Sequence, residues 1–179
     1  MTKEQEEKYL NEHLTYEIDM LGFSHQMLFQ VAQEIGKFSP SNSQISVFTP
    51  DDVVSAFFRR NIFIEAFILH ARCLVEFFYH DRKKHPDDAR AGDFIRDKDW
   101  SKVRSELDGP LLKLMGRSGK EIAHLTYSRI DGIEPEKAWD DPNILKELII
   151  TIDKFIDAIG QKSSNLKELY AAIKRLKAS

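Results

Sequence analysis

TPDDVVSAFFRRNIFIEAFILHARCLVEFFYHD, residues 49–81, is the stretch whose reading decides the fold. Thr49 can cap a helix, Pro50 suits its first position, and Asp51 and Asp52 complement the positive end of the helix dipole. The spacing predicts a helix over about 51–81. Val, Phe, Ile and Leu fall on nearly every side of it, so it is expected to be the central helix of a bundle. One narrow stripe breaks the apolar surface. At about 100° per residue, Asn61, Glu65, Arg72, Glu76 and Tyr79 lie at roughly 0°, 40°, 20°, 60° and 0°. Buried without partners, five such groups would cost several kcal/mol, so they are expected to face polar groups elsewhere in the chain.

Outward from this helix, helical periodicity dominates. Leu10, Leu14, Ile18, Leu21, Leu28 and Ile35 recur at helical spacing and predict a first helix over 4–36, with Gly22 as a candidate bend. His13 and His25 lie beside that stripe as packing or boundary residues. Residues 37–49, rich in Ser, Asn and Pro, read as a loop in which QISVF could form a short extended piece. A charged loop covers 81–93. A short helix follows Asp99, with Trp100, Val103 and Leu107 inward, and a further helix starts at Pro110. Asp131, Gly132 and Pro135 mark a third loop. Asp141 as cap and Pro142 as opener begin a helix ended by Gly160. A last helix follows Ser164, carrying Leu166, Leu169, Tyr170, Ile173 and Leu176. The expectation is a single all-α domain over 1–179. It is an up-and-down bundle of about five helices, in which helix 4–36 and the helices of 142–178 pack around the middle of the chain. Scarce Gly and Pro (8 and 6) and abundant Phe (12) agree with helix over a strand-and-turn architecture.

The totals exclude several classes. Cys73 is the only cysteine, so no intrachain disulfide forms, and within its apolar run it reads as a buried thiol. The segment MTKEQEEKYL has no apolar core of the kind a secretory signal needs. Glu65, Arg72 and Glu76 interrupt the longest apolar run and argue against a membrane span. A cytoplasmic protein is expected. The net charge of −3 argues against bulk nucleic-acid binding. Residues 59–129 nevertheless carry 15 Lys and Arg against 11 Asp and Glu, with four of the six His. His80 and His85 flank Asp81, but nothing supplies further ligands at metal-binding spacing, so no metal and no cofactor are expected.

The candidate chemistry lies in PLLKLMGRSGKEIAHLTYSR, residues 110–129. On one helix, Leu111, Met115, Ile122 and Ala123 share a side, while Arg117, Glu121, His124 and Ser128 share the other. This second polar stripe is expected to face the first, with Glu65 or Glu76 pairing Arg117, and Arg72 pairing Glu121. A His tuned by neighbouring carboxylates can move a proton near neutral pH, and the planar fork of an Arg suits phosphate oxygens. Together they are a minimal metal-free set for phosphodiester cleavage. The same His–Arg–Glu network can also simply satisfy itself and fix helix register.

GRSGKEIAHLTYSR (116–129), with six residues between Arg117 and His124, resembles the HEPN superfamily, whose defining motif is an Arg, four to six residues, and a His. FIEAFILHARCLVEFFYH (63–80) resembles the preceding core helix of some bacterial HEPN-like proteins. The similarity spans about residues 51–130. It implies a small helical bundle, often dimeric, and a metal-independent ribonuclease of a toxin–antitoxin or phage-defence type. His124 would then be the acid/base, Arg117 the phosphate binder, and Glu65 a supporting group. A homodimer, RNA, and an antitoxin or neighbouring-gene protein are the partners it implies. Ser118 stands where the family often carries Asn, and Gly116 and Gly119 make helix continuity the condition on which the site rests. The alternative is a non-catalytic interaction or dimerisation module in which the Arg–His–Glu cluster is structural.

Overall fold

The computed structural model describes residues 2–37, 49–81, 83, 85–95, 99–123, 138–160 and 165–179. Among them every regular element is helical. The elements are α1 (Lys3–Tyr9), a π segment (Leu10–Leu14), α2 (Thr15–Lys37), α3 (Pro50–Tyr79), a 3-10 turn (Ala91–Phe94), α4 (Trp100–Val103), α5 (Gly109–Ser118), a second π segment (Gly119–Ala123), α6 (Asp141–Ile159) and α7 (Lys167–Leu176). No helix among the described residues is long and apolar enough to cross a membrane. QISVF and the third loop lie outside the described residues.

The start of α3 follows its sequence signals. Thr49 Oγ1 accepts from the Asp52 amide and the Asp52 carboxylate accepts from the Thr49 amide, a reciprocal capping box with Pro50 at the first helical position. Asp99 caps α4 one way, its carboxylate accepting from the Ser101 amide at 3.1 Å. The cap of α6 is Asp140, one residue earlier than expected, and Gly160 ends that helix at φ +77°.

α3 packs against α2, α5 and α6, and α7 packs on α2. The core is aliphatic and aromatic. Phe67, Leu74 and Phe78 of α3 and Ile18 and Leu21 of α2 belong to one buried cluster, with Leu114, Leu148, Ile152 and Phe155 also fully buried. Each such side chain contributes about 1.5–3 kcal/mol by leaving water. Phe78, Trp100 and Phe155 pack with centroids 5.5–6.2 Å apart, and Trp100 Nε1 donates to the Phe78 carbonyl at 2.6 Å. That bond and the buried Phe94 fasten the 81–103 connection onto α3, so the expected charged loop is part core.

α2 runs without interruption from Thr15 to Lys37, and Gly22 serves its packing. A Cβ there would stand 3.2 Å from Leu176 Cδ1 and 3.5 Å from its Cα, so the glycine admits α7 close to the α2 backbone. α3 is not enclosed on every side. Apart from Ala56, its buried residues run from Phe67 to Tyr79, while Phe58, Ile62 and Leu69 are exposed by 65%, 61% and 54%. The packed helices cover one arc of α3, and Asn61, Glu65, Arg72 and Glu76 lie outside it.

Candidate functional site

Arg117 closes α5, on the same helical run as the π segment that follows. The chain stays helical through Gly116 and Gly119, but the ladder widens from α to π at Gly119. Past that point hydrogen bonds span five residues, so the α-helical angles that line up Arg117 and His124 no longer apply. His124 and Ser128 lie outside the described residues.

The expected cross-pairing between the stripes is replaced by pairing within each. Arg117 Nε and Nη2 donate to Glu121 Oε1 and Oε2 at 2.6 and 2.8 Å, and Nη1 donates to the Ala138 carbonyl at 3.1 Å. Its guanidinium lies 4.1 Å over the Trp139 ring. The Glu121 hydrogen bonds push its pKa up, against burial, which pulls it down. Arg72 Nε donates to Glu76 at 3.0 Å. An i,i+4 partner on the same helix needs no tertiary alignment, and that is why it wins. The stripes do adjoin at one point, because a Cβ on Gly119 would lie 3.4 Å from Arg72 Nη1.

The remaining members of the first stripe separate. Asn61 and Glu65 are exposed among Phe58, Ile62 and Leu69. Tyr79 belongs to the core: it is buried, and its hydroxyl is 2.9 Å from Thr151 Oγ1 of α6. Burial pushes its pKa up, partly offset by the Thr151 hydrogen bond and by Arg104, whose guanidinium stands 5.2 Å over the ring.

Arg72 and Glu76 also border a groove of about 530 Å³ between the first π segment, α3 and the connection after it. Cys73 opens on this groove and is exposed, contrary to the buried thiol expected, because position 73 lies on the uncovered arc of α3. Desolvation and the charges of Glu17 and Glu76 push its pKa up to about 11, with Arg72 opposing. The histidines His13, His80 and His85 line the same groove. His13 thus stands at the boundary of the packing stripe, exposed and within the π segment Leu10–Leu14, with its ring 5.2 Å from Tyr9. Sequence periodicity missed His70, buried on α3 and 2.8 Å from Glu17 of α2. Among the described residues no group of three or more His, Cys, Asp or Glu is arranged to hold a metal ion.

No protein-family model, curated protein or solved structure matches this chain.

Proposed function

We propose that this chain is a HEPN-like helical interaction module that self-associates through the exposed face of α3, with the Arg117–Glu121 pair as a structural clamp. One observation carries the reading: the apolar stripe of Val54, Phe58, Ile62 and Leu69, each more than half exposed, along about 22 Å of one helix. A two-fold interface must be complementary to itself. Asn61 is a donor and Glu65 an acceptor four residues apart on this face. An antiparallel second copy centred between them sets each Asn61 against the Glu65 of the partner subunit, and brings Phe58 against the partner's Leu69. The polar pair then fixes the register of an otherwise greasy seam.

Light scattering coupled to size exclusion tests this reading. The wild-type chain is expected at twice its 20.8 kDa, and Ile62→Glu at 20.8 kDa with an unchanged melting temperature. A wild-type monomer at high micromolar concentration would overturn it.

A second reading, a metal-independent ribonuclease of the toxin–antitoxin or phage-defence type, is favoured by the helical continuity through Gly116 and Gly119. That continuity carries Arg117 on one run to the residue before His124. Its candidate residues are His124 as acid/base and Arg117 as phosphate binder. RNA cleavage that persists in EDTA and is lost in His124→Ala, with the fold intact, supports it. RNA left intact with and without Mg²⁺ counts against it.

A further inference from the structure

The groove on the C-terminal half of α3 has a chemistry of its own. Its carboxylates are already engaged. Glu17 takes His70 at 2.8 Å, Glu76 takes Arg72 Nε at 3.0 Å, and Asp88 caps the His85 amide at 2.7 Å. Its donors are not. Arg72 uses only Nε, which leaves the Nη edge of its guanidinium without a hydrogen-bond partner among the described residues. Among the described residues the imidazoles of His13, His80 and His85 make no hydrogen bond, and the His13 ring packs on Tyr9 at 5.2 Å. Arg90, which also lines the groove, holds Asp93 and the Asp81 carbonyl through its two Nη groups while its buried Nε has no partner. A concave site whose carboxylates each already accept a hydrogen bond, and whose Arg72 Nη edge is open among the described residues, offers donors to an anion.

The donors come from three separate parts of the chain: the π segment, α3 and the connection after it. An anion met from several directions needs several acceptor oxygens, which a tetrahedral phosphate has and a planar carboxylate lacks. Tyr9 and Tyr16 add aromatic surface, and the volume suits one small molecule. Both π segments border this region, the first through His13 and Leu14 and the second through Gly119 at Arg72. Such widened turns gather at functional sites.

We propose that this groove binds a small organic phosphate, with Arg72, His13, His80 and His85 holding the phosphate and the rings of Tyr9 and Tyr16 against its body. The proposal is independent of α3 self-association and of RNA cleavage.

Calorimetry and amide chemical-shift mapping on the full chain test it, with AMP as the phosphate-bearing probe and adenosine as the phosphate-free control. The expected result is saturable AMP binding that shifts groove amides, with adenosine weaker by about tenfold or more. Arg72→Met should weaken AMP about tenfold. The double variant His13→Ala/His85→Ala, both at exposed positions, should weaken it severalfold with the melting temperature retained. No saturable AMP binding in the millimolar range, equal binding of adenosine, or AMP binding unchanged in the folded histidine double variant would each overturn the proposal.

Discussion

Arg117 grips both carboxylate oxygens of Glu121, at 2.6 and 2.8 Å, while its guanidinium stands over the Trp139 ring at 4.1 Å. The pair joins the end of α5 to the residues that lead into α6. Both side chains are about two-thirds or more buried, so the bidentate bond outweighs an exposed ion pair. With the stacking on Trp139, its loss is expected to cost about 1–2 kcal/mol. Arg117→Ala should lower the melting temperature by about 2–6 °C and shift Trp139 emission, and Arg117→Lys should restore less than half of the loss. An unchanged melting temperature in Arg117→Ala would show that the clamp is idle.

Cys73 faces solvent but is a poor nucleophile. Its pKa of about 11 keeps it as the neutral thiol across the physiological range, and the thiolate gains ground only as pH rises towards that value. Alkylation by iodoacetamide at pH 8 should run roughly tenfold slower than for an unperturbed cysteine, then accelerate steadily past pH 10. Removing the Glu76 charge with Glu76→Gln should speed it. A rate that levels off below pH 9 would contradict the cause assigned here.

The contrast between Thr49 and Glu65 shows what the sequence makes legible. The cap at Thr49 is a contact within four residues, so Thr, Pro and Asp in that order suffice to predict it. Glu65 shares a face with Asn61, Arg72 and Glu76, and periodicity reports that shared face correctly. Periodicity does not report whether the bundle covers it. Phe58 and Ile62 surround Glu65 with apolar residues, which suggested burial, whereas α2, α5 and α6 cover the opposite arc. The two π segments leave no compositional mark, and the second breaks the α-helical alignment past Gly119. The ion pairs differ from the expected ones for a related reason. A partner one turn away on the same helix is always within reach, so Glu76 and Glu121 take Arg72 and Arg117 before any tertiary partner does.

Close approach at Gly22 gives a packing test. A β-carbon there would already crowd Leu176, which is itself buried at 2% exposure, and a branched side chain has nowhere to go. Gly22→Val should destabilise the chain by about 1–3 kcal/mol, and Leu176→Ala in the same background should recover part of that by opening space. Chemical denaturation of the three variants would read this directly. Additive losses in the double variant would mean that α7 does not lie where Leu176 places it.

The buried bond between Tyr79 and Thr151 has a direction. Thr151 Oγ1 donates its only proton to the Glu147 carbonyl at 2.9 Å, so in the 2.9 Å contact with Tyr79 it must accept, and the phenol must donate. The two single substitutions therefore differ. Tyr79→Phe removes a donor and leaves Thr151 with its other bond intact, at a cost of about 1 kcal/mol. Thr151→Val leaves the Tyr79 hydroxyl without its acceptor in a site only 6% exposed, at a cost of about 1–3 kcal/mol. Once Tyr79→Phe is present, Thr151→Val should cost less than it does alone, giving a coupling of about 0.5–1.5 kcal/mol in the double-mutant cycle. Single losses with no coupling would show that the two hydroxyls are not bonded, and would remove Tyr79 as a tie between α3 and α6.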